Sequence, residues 1–335
     1  MATMNDVAKA ANVSIATVSH VINGTRFVSA ERVERVHLAM RELGYVPDAT
    51  ARSLRIGRTD TIGLVVPDNS NPFFAALARW IEEAGFESGY TTILANSNER
   101  PDREYRYVST LVSKRVDGLI LSPSRGDHST LTRLLENANI PVVVVDRDAA
   151  LPNADVVLYN NEGGSFEATR HLLELGHTKI GCVAGPADAS SATDRVRGFR
   201  RAISVARLPD QPVVEADFHF SGGREATARL LDSGAEFTAL FAANDLMAAG
   251  AIRELAARGI TVPRDISVIG FDDAPLAEMI SPALTTMRQP LQDMAHTAVS
   301  MLLSRVTSGD GGAPARKVLP TSLVIRDSTA PPPKD

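Results

Sequence analysis

The first 58 residues carry the pattern that most constrains this chain: two short helices joined by a tight turn, a third helix and a short basic segment. Apolar residues spaced for one helical face predict a first helix over 4–11. Ser14 is a suitable N-cap for a second helix over 15–23, and Gly24 follows as its terminating glycine. Helices connected in this way predict a helix-turn-helix unit, which lays its second helix in the DNA major groove.

A third helix is predicted over 29–43, between a serine N-cap and a terminating glycine. Pro47 then suits the first turn of a short fourth helix over 48–55, because a backbone N–H would be unpaired there anyway. The pattern predicts a helix-turn-helix DNA-binding domain over 1–46, followed by a hinge helix and linker over 47–60.

The charge of the chain is unevenly divided. The formal net charge is −5, which is unusual for a protein that binds DNA. Residues 1–60 contain eight basic and six acidic side chains, a net charge of +2, which leaves −7 for the remainder. An acidic body attached to a basic head would repel phosphate and confine DNA contacts to the head.

Cysteine and hydropathy patterns indicate the compartment. Cys182 is the one cysteine of the sequence, so no disulfide framework can form and a reducing environment is expected. No apolar run approaches the roughly 20 residues needed to span a bilayer. The first residues also lack the apolar core of a signal peptide. We therefore expect a soluble intracellular protein.

From Thr61 onward, short β-branched runs alternate with helical stretches, as is typical of parallel sheets covered by helices. The alternation restarts after residue 155, which predicts two similar lobes with a cleft between them. The predicted strands are 62–66, 92–95, 118–121, 142–145, 156–158, 180–184, 213–216, 240–242, 267–270 and 323–325. The predicted helices include 73–87, 162–175, 194–206, 246–258 and one that begins at Pro290.

Polar residues lie just beyond the carboxyl ends of three predicted strands. They are the segment 68–71, the pair Asp146-Arg147 and the pair Asp272-Asp273. In open α/β sheets ligands bind at this edge. Three such groups in a two-lobed chain therefore predict a ligand-binding cleft.

Three stretches of the head form a specific pattern: residues 4–8, residues 12–23, and Ala51-Arg52-Ser53-Leu54-Arg55. Together they resemble the LacI family of bacterial transcription regulators, and are nearest to its ribose and purine branches. The similarity extends over essentially the whole chain. It implies a bacterial cytoplasmic protein that acts at the nucleoid.

The resemblance implies how the head contacts DNA. Ile15 and Ala16 would meet base edges by apolar contact, and His20 by hydrogen bonding. Leu54 would enter the minor groove at the operator centre and kink the duplex, with Arg55 beside it in the groove. The remaining expected contacts, to phosphates or nearby bases, come from Ser14, Thr17, Asn23 and Arg26.

The body resembles periplasmic sugar-binding proteins, most closely their ribose-binding branch. The implied fold class is an α-helical helix-turn-helix head plus an α/β body with two doubly wound parallel-sheet lobes of the periplasmic-binding-protein type. The residues that align with the sugar contacts of that branch are Asn71, Phe73, Phe74, Asp146, Arg147, Arg195, Phe218, Asn244, Phe271, Asp272 and Gln289.

These residue types suit a sugar. Aromatic rings can cover the apolar C–H faces of a sugar ring. Carboxylates accept hydrogen bonds from its hydroxyls, guanidinium groups donate them, and amides do both. Ser122 stands where the ribose binder has an asparagine, which leaves room for a different substituent. We expect D-ribose as the effector, with another pentose or a small sugar as the main alternative.

The three crossovers between the family's lobes imply that each lobe is discontinuous. Residues 330–333 are expected to form a disordered proline-rich tail. No leucine heptad follows the body, so a homodimer on a palindromic operator is expected. The implied lobe segments are about 61–158 with 291–319 for the first lobe and about 159–290 with 320–330 for the second, within an effector domain over 61–335.

The predicted activity is that of a sugar-responsive repressor. Ligand would close the cleft, separate the paired hinge helices and withdraw Leu54 from the groove, which relieves operator binding. The alternative is a regulator that takes a purine or nucleoside as its corepressor.

Other classes of protein are not favoured. No nucleotide-binding fingerprint, nucleophile elbow or metal-spaced His/Cys cluster is present, so we expect no catalytic residue, cofactor or metal. His171 and His177 flank a helix end, where capping or surface roles are expected. The head and the missing signal peptide argue against a secreted sugar-binding protein.

Overall fold

The computed structural model describes residues 2–24, 26–46, 57–149, 151, 153–308 and 312–333. The chain divides into two compact units, Met1–Thr59 and Asp60–Asp335, which we call the head and the body. The predicted hinge helix over 48–55, with Leu54 and Arg55, lies outside the described residues.

The head contains three described helices, α1 (Met4–Ala10), α2 (Ile15–Asn23) and α3 (Ala30–Leu43). Small and β-branched side chains from these helices and the turn after α1 form one buried core, so the helices pack closely. The core residues are Val7, Ala8, Ala11, Val18, Val36 and Ala39.

Local chemistry fixes the ends of α2. The Ser14 hydroxyl accepts a hydrogen bond from the backbone N–H of Thr17 at 3.1 Å, which satisfies a donor in the first helical turn. Gly24 ends the helix with φ of +62°, a left-handed conformation that glycine adopts without steric cost. Val18 of α2 is buried in the core of the head. This contact anchors the helix, while the residues of its first turn remain at the surface.

In the described part of the body, strands and helices alternate. The strands are β1 (Thr61–Val66), β2 (Thr91–Asn96), β3 (Gly118–Leu121), β4 (Val142–Val145), β5 (Asp155–Tyr159), β6 (Ile180–Ala184), β7 (Val213–Glu215), β8 (Ala239–Ala242), β9 (Ser267–Asp272), β10 (Thr285–Arg288), β11 (Arg316–Leu319) and β12 (Ser322–Val324). The helices are α4 (Pro72–Glu87), α5 (Pro101–Ser113), α6 (Ser129–Ala138), α7 (Asn161–Glu174), α8 (Ser190–Val205), α9 (Phe220–Asp232), α10 (Asp245–Ala257), α11 (Leu276–Met279) and α12 (Leu291–Ser308). None of the helices that the structure describes is long and apolar enough to cross a bilayer.

The strands form two six-stranded sheets, one in each lobe. The first sheet has the order β11-β5-β4-β3-β1-β2 and is parallel throughout. The second has the order β12-β10-β9-β8-β6-β7 and is parallel except for β12, which runs antiparallel to β10. The chain passes between the lobes three times, after β5, β10 and β11. The predicted fold class, a helical head with a two-lobed α/β body, is confirmed.

Helices cover both faces of the first sheet, which explains its valine-rich strands. All four valines of β4 are buried, as expected for a parallel strand covered on both sides. Leu77 of α4 and Leu302 of α12 pack on one face of the sheet, while Leu111 of α5 and Leu135 of α6 pack on the other.

The sequence pattern does not predict β10 or β11. Three of the four residues of β11 are exposed, among them Arg316 and Lys317, so this strand lacks the alternation of a half-buried one. β11 is held by its pairing with β5, and β10 by its pairing with β9 and β12. Strand conformation that comes from tertiary pairing leaves little trace in local sequence.

The prediction of a disordered tail is wrong at its first residue, Ala330. The Ala330 N–H donates to Ser267 Oγ at 2.9 Å, and its carbonyl oxygen lies 2.9 Å from His177 Nε2. Ser328 is fully buried, and its hydroxyl donates to the carbonyl of Val268 at 2.6 Å. Hydrogen bonds to distant parts of the second lobe thus order this segment, and His177 is a buried structural residue.

Two helices of the second lobe approach so closely that their contact requires glycine. A β-carbon at Gly223 of α9 would overlap the backbone carbonyl of Met247 in α10. A β-carbon at Gly250 of α10 would overlap the backbone carbonyl of Phe220 at the start of α9. Because the overlapping atoms belong to the backbone, no flexible side chain can move aside.

We predict that Gly250→Ala lowers the free energy of unfolding by about 1–3 kcal/mol, the usual cost of overpacking a close contact. Gly312→Ala is the matched control, because a β-carbon at Gly312 meets no atom within 4 Å. Urea denaturation followed by circular dichroism measures both variants. Equal midpoints for the two would contradict the close approach of α9 and α10.

Candidate functional site

A small cavity lies between the two lobes of the body, where the strands of both sheets end. This is the edge at which open α/β sheets bind ligands. Nine of the eleven residues predicted from the sequence line it, together with Ser191. The lining residues are Asn71, Phe73, Phe74, Asp146, Arg147, Ser191, Arg195, Phe218, Asn244 and Asp272.

The start of α4 builds one part of the first-lobe wall. Asn71 caps the helix, because its Oδ1 accepts a hydrogen bond from the N–H of Phe73 at 3.0 Å. Pro72 occupies the first turn, where it costs no hydrogen bond. Phe73 and Phe74 follow with ring centroids 5.0 Å apart in edge-to-face geometry. The sequence Asn-Pro-Phe-Phe thus places one amide and two rings on the cavity.

Asp146 and Arg147 follow β4 directly and are both buried. Arg147 donates to Glu99 from Nη2 to Oε1 at 2.7 Å and from Nη1 to Oε2 at 2.9 Å, and it also donates to the carbonyl of Pro123 at 3.2 Å. Burial lowers the pKa of Arg147, but the hydrogen bonds and charge of Glu99, together with the charges of Asp146 and Glu104, outweigh burial and raise that pKa above its ordinary value. Burial raises the pKa of Asp146, although the charges of Arg147 and Arg195 oppose that rise.

Arg195 enters the cavity from α8 in the second lobe. Its Nε donates to Asn161 Oδ1 at 2.9 Å, and its Nη1 donates to the carbonyl of Ala243 at 2.5 Å. Its guanidinium carbon lies 3.9 Å from the ring centroid of Phe271, a cation–π contact. Its Nη1 lies 3.6 Å from Asp272 Oδ1. Burial lowers the pKa of Arg195, and the charge of Asp272 opposes that lowering.

Asp272 ends β9 with φ of +129°, outside the region that side-chain-bearing residues ordinarily adopt. Its Oδ1 accepts a hydrogen bond from Gln289 Nε2 at 2.6 Å. Burial raises the pKa of Asp272 to about 7, even though the charge of Arg195 favours the ionised carboxylate. Asp272 can therefore exist in either protonation state near neutral pH, as an acceptor alone or as a donor and acceptor.

Two of the predicted sugar contacts, Phe271 and Gln289, lie behind the cavity wall. Phe271 is fully buried in the second-lobe core, where its ring supports Arg195. Gln289 is also buried and reaches the cavity through Asp272. Neither residue lines the cavity itself, although each contacts a side chain that does.

Aromatic rings from both lobes approach Arg147. Its guanidinium carbon lies 5.5 Å from the centroid of Phe74 and 5.9 Å from that of Phe218. Asn244 caps α10 by accepting from the Met247 N–H at 2.8 Å, and its Nδ2 donates to the carbonyl of Phe218 at 3.1 Å. One lining residue therefore holds another in place.

Three further residues complete or support the cavity, and sequence reasoning missed two of them, Ser191 and Glu99. Ser191, in the first turn of α8, lines it. Asp245 is fully buried and accepts hydrogen bonds from Thr286 Oγ1 at 2.5 Å and from the Ala274 N–H at 2.8 Å, which fixes the loop after β9. Asp245 stands beside Asn244 in a stretch that aligns with the sugar contacts of the ribose-binding branch, so the resemblance points to it. No local signal singles out Glu99.

The head presents the start of α2 on its surface. Ile15 is 48% exposed, whereas Val18, about one turn further along the helix, is buried. The hydroxyls of Ser14 and Thr17 lie 2.9 Å apart on this surface. The predicted DNA contacts that the structure describes are exposed or partly exposed, and they are Ser14, Ile15, Ala16, Thr17, His20, Asn23 and Arg26.

A helix-turn-helix head joined to a two-lobed body with a small polar cavity defines the class of ligand-responsive DNA-binding regulators. The model of bacterial regulatory proteins of the lacI family matches residues 3–48. The model of the periplasmic binding protein-like domain matches residues 169–329.

Full-length relatives agree with these domain matches. The HTH-type transcriptional repressor PurR of Aliivibrio salmonicida (strain LFI1238) is 42% identical over 308 residues, which cover 91% of this chain and 92% of the relative. The ribose operon repressor of Escherichia coli (strain K12) is 40% identical over 309 residues, which cover 92% of this chain and 94% of the relative. The chain belongs to the LacI family of bacterial regulatory proteins.

Solved structures show the same architecture. The lac repressor dimer bound to operator and the anti-inducer ONPF has a TM-score of 0.87 at 30% identity, with 98% of this chain and 99% of that chain covered. A LacI family transcriptional regulator from Enterococcus faecium with bound ribose has a TM-score of 0.74 at 34% identity, with 81% of this chain and 99% of that chain covered. The protein is thus a DNA-binding transcription regulator and not an enzyme. Among the described residues, no group of His, Cys, Asp and Glu could hold a metal ion.

We predict that Asp272 makes the protein less stable as the pH rises from about 4 to 7. In this range the carboxyl is ionised in the unfolded chain but protonated in the folded one, so the folded state loses stability relative to the unfolded state. The stability difference between the natural protein and Asp272→Asn should therefore shift in favour of the variant, by at most about 1.4 kcal/mol per pH unit.

Urea denaturation at pH 5, 6, 7 and 8 measures this shift. Asp232→Asn is the control, because Asp232 is exposed and its hydrogen bond to Arg258 lowers its pKa, so this carboxyl is ionised in both the folded and the unfolded chain from pH 5 to 8 and its replacement gives no trend. A stability difference for Asp272→Asn that does not change with pH would contradict the raised pKa.

Proposed function

We propose that this protein is a sequence-specific transcriptional repressor whose operator binding is relieved when D-ribose binds between the lobes of the body. The observation that carries this proposal is the alternation of charge around one cavity. Asp146 and Arg147 of the first lobe face Arg195 and Asp272 of the second. Because each sugar hydroxyl both donates and accepts, several hydroxyls can be satisfied at once by such a set.

The lining of the cavity favours a small ring that carries hydroxyl groups. Phe73, Phe74 and Phe218 supply rings that can cover the C–H faces of a sugar. The similarity to a regulator from Enterococcus faecium with bound ribose supports a pentose.

A purine or nucleoside that acts as corepressor is the second candidate. The 42% identity to a repressor called PurR favours it, and the same phenylalanine rings could stack on a flat base. A purine base carries ring nitrogens and carbonyl oxygens but no hydroxyls, so it cannot present to these carboxylates and guanidinium groups a set of groups that each donate and accept. We therefore prefer the sugar.

The proposed mechanism couples the cavity to the operator. The exposed residues of α2 contact the operator in the bacterial cytoplasm, with Leu54 as the wedge in the minor groove and Arg55 beside it. D-ribose binds the closed cleft more tightly than the open one, so it shifts the population toward the closed state. The closed state is the one in which the hinge helices separate and the operator is released.

We predict that D-ribose weakens operator affinity by about 5- to 150-fold, the usual range of allosteric coupling. Fluorescence anisotropy of a labelled operator measures this effect, and isothermal titration with D-ribose, hypoxanthine and guanine identifies the ligand. Asp146→Asn should lose the response to ribose but keep its operator affinity, whereas the surface variant Asp232→Asn should respond fully. If hypoxanthine or guanine strengthens operator binding and ribose has no effect, the corepressor alternative is correct.

We further propose that the repressor is a homodimer that pairs through β2. This strand lies at one edge of the first sheet, where it exposes Ile93 (37%) and Leu94 (46%). An apolar edge strand is a template for pairing with another chain. The opposite edge strand, β11, carries Arg316 and Lys317, charges that discourage such pairing. The dimeric lac repressor structure supports the same state.

We predict that Ile93→Asp combined with Leu94→Asp converts the dimer into monomers, because two charges would be buried at the interface. Analytical ultracentrifugation measures the molecular mass, and operator affinity should fall in parallel. Val318→Asp on β11 is the control, since Val318 is 54% exposed at the opposite edge. A dimer that persists in the double variant, or is lost in Val318→Asp, would place the interface elsewhere.

A further inference from the structure

Glu99 has an unusual backbone position at the rim of the cleft. It follows Asn98 in the loop after β2, and both residues have φ of +54°, in the left-handed region. The Glu99 N–H donates to the carbonyl of Pro67 at 2.8 Å, which ties this loop to the end of β1. Strained backbone of this kind persists where surrounding contacts enforce it, and it is concentrated at functional sites.

The Glu99 carboxylate is shared by two arginines. One is Arg147 of the cavity, which donates two hydrogen bonds to it at 2.7 and 2.9 Å. The other is Arg125, whose Nε lies 3.6 Å from Glu99 Oε2 and whose backbone N–H donates to the same oxygen at 3.4 Å. Arg147 is buried, so its charge depends on this partner, whereas Arg125 is about one-third exposed.

Arg125 also reaches across the cleft. Its Nη1 lies 3.3 Å from Asp188 Oδ1, and Asp188 belongs to the second-lobe loop between β6 and α8. A second contact nearby joins the lobes, because the Asp148 N–H donates to Ser190 Oγ at 2.8 Å. An exposed ion pair contributes little by itself. Its strength here depends on Glu99 holding the Arg125 side chain in place.

We propose that Glu99 is a positioning residue that couples effector binding to closure of the cleft, an inference that rests on the proposed function. Glu99 fixes the guanidinium of Arg147 in the cavity, and through Arg125 it also orients the contact to Asp188 on the opposite lobe. Removal of its charge therefore weakens effector binding and loosens the rim together.

The first experiment is isothermal titration of the full chain with D-ribose. Glu99→Gln keeps the side-chain shape but presents an amide to Arg147, so the Kd should rise by about 10- to 100-fold. Glu99→Asp should recover part of this loss because it restores the charge. Asp102 lies in the first turn of the adjacent helix α5 and forms an exposed ion pair with Arg100. Asp102→Asn removes this pair and should change the Kd by less than about twofold.

A double-mutant cycle tests the coupling across the cleft. If Arg125 links the two carboxylates, the combined effect of Glu99→Gln and Asp188→Asn on the Kd is smaller than the product of the single effects. When Glu99→Gln is combined with Asp102→Asn, the change in Kd should equal the product of the two single changes. Multiplicative effects in both pairs, or an unchanged Kd in Glu99→Gln, would overturn the proposal.

Hydrogen exchange without ligand separates this proposal from the choice of effector. Exchange in the rim segment 186–190 should be faster in Glu99→Gln than in the natural protein and unchanged in Asp102→Asn. If the natural protein binds no D-ribose, the proposed effector is wrong, and the exchange result still decides the role of Glu99. Equal exchange in all three proteins would exclude a link through Arg125.

Discussion

The body depends on the burial of four charged groups between its lobes. Asp146, Arg147, Arg195 and Asp272 all lie in a region from which water is largely removed, where an isolated charge would be strongly unfavourable. Each guanidinium is therefore held by several partners: Arg147 by Glu99 and the Pro123 carbonyl, and Arg195 by Asn161 and the Ala243 carbonyl. The carboxylates are less fully compensated, and their raised pKa values reflect that difference. A site in this condition is suited to a ligand that supplies hydroxyl groups.

The backbone delivers these groups by a small number of local devices. Asn71 and Asn244 each cap a helix at the cleft, so the helix start and the polar lining are specified together. Asp146 directly follows β4 and Asp272 is the last residue of β9, and both have positive φ, which turns the chain sharply at the sheet edge. The close packing of α9 on α10 at Gly223 and Gly250 holds α10, the helix that Asn244 caps, in place. Stability and ligand recognition thus use the same structural elements.

Much of this architecture could be predicted from the sequence because its signals are local. The valine run of β4 and the Asn-Pro-Phe-Phe start of α4 specify their own structure, and the polar pairs after the strands mark the cleft edge. The rest could not be predicted, because it depends on pairing. β11 is a strand only beside β5, Ala330 is ordered only by Ser267 and His177, and Glu99 matters only because Arg147 lies against it.

The sequence by itself determined a helix-turn-helix head, an alternating α/β body and a set of polar and aromatic residues at strand ends, since each follows from periodicity, capping and turn chemistry. Tertiary structure alone decided which of those residues face the cavity. Strand alternation turned Phe271 into the core beneath Arg195, and Gln289 came to act through Asp272. The fold also brought residues far apart in the chain into one charge network across the lobes. Long-range contacts of this kind have no local signature, because their energy arises only when the two surfaces meet.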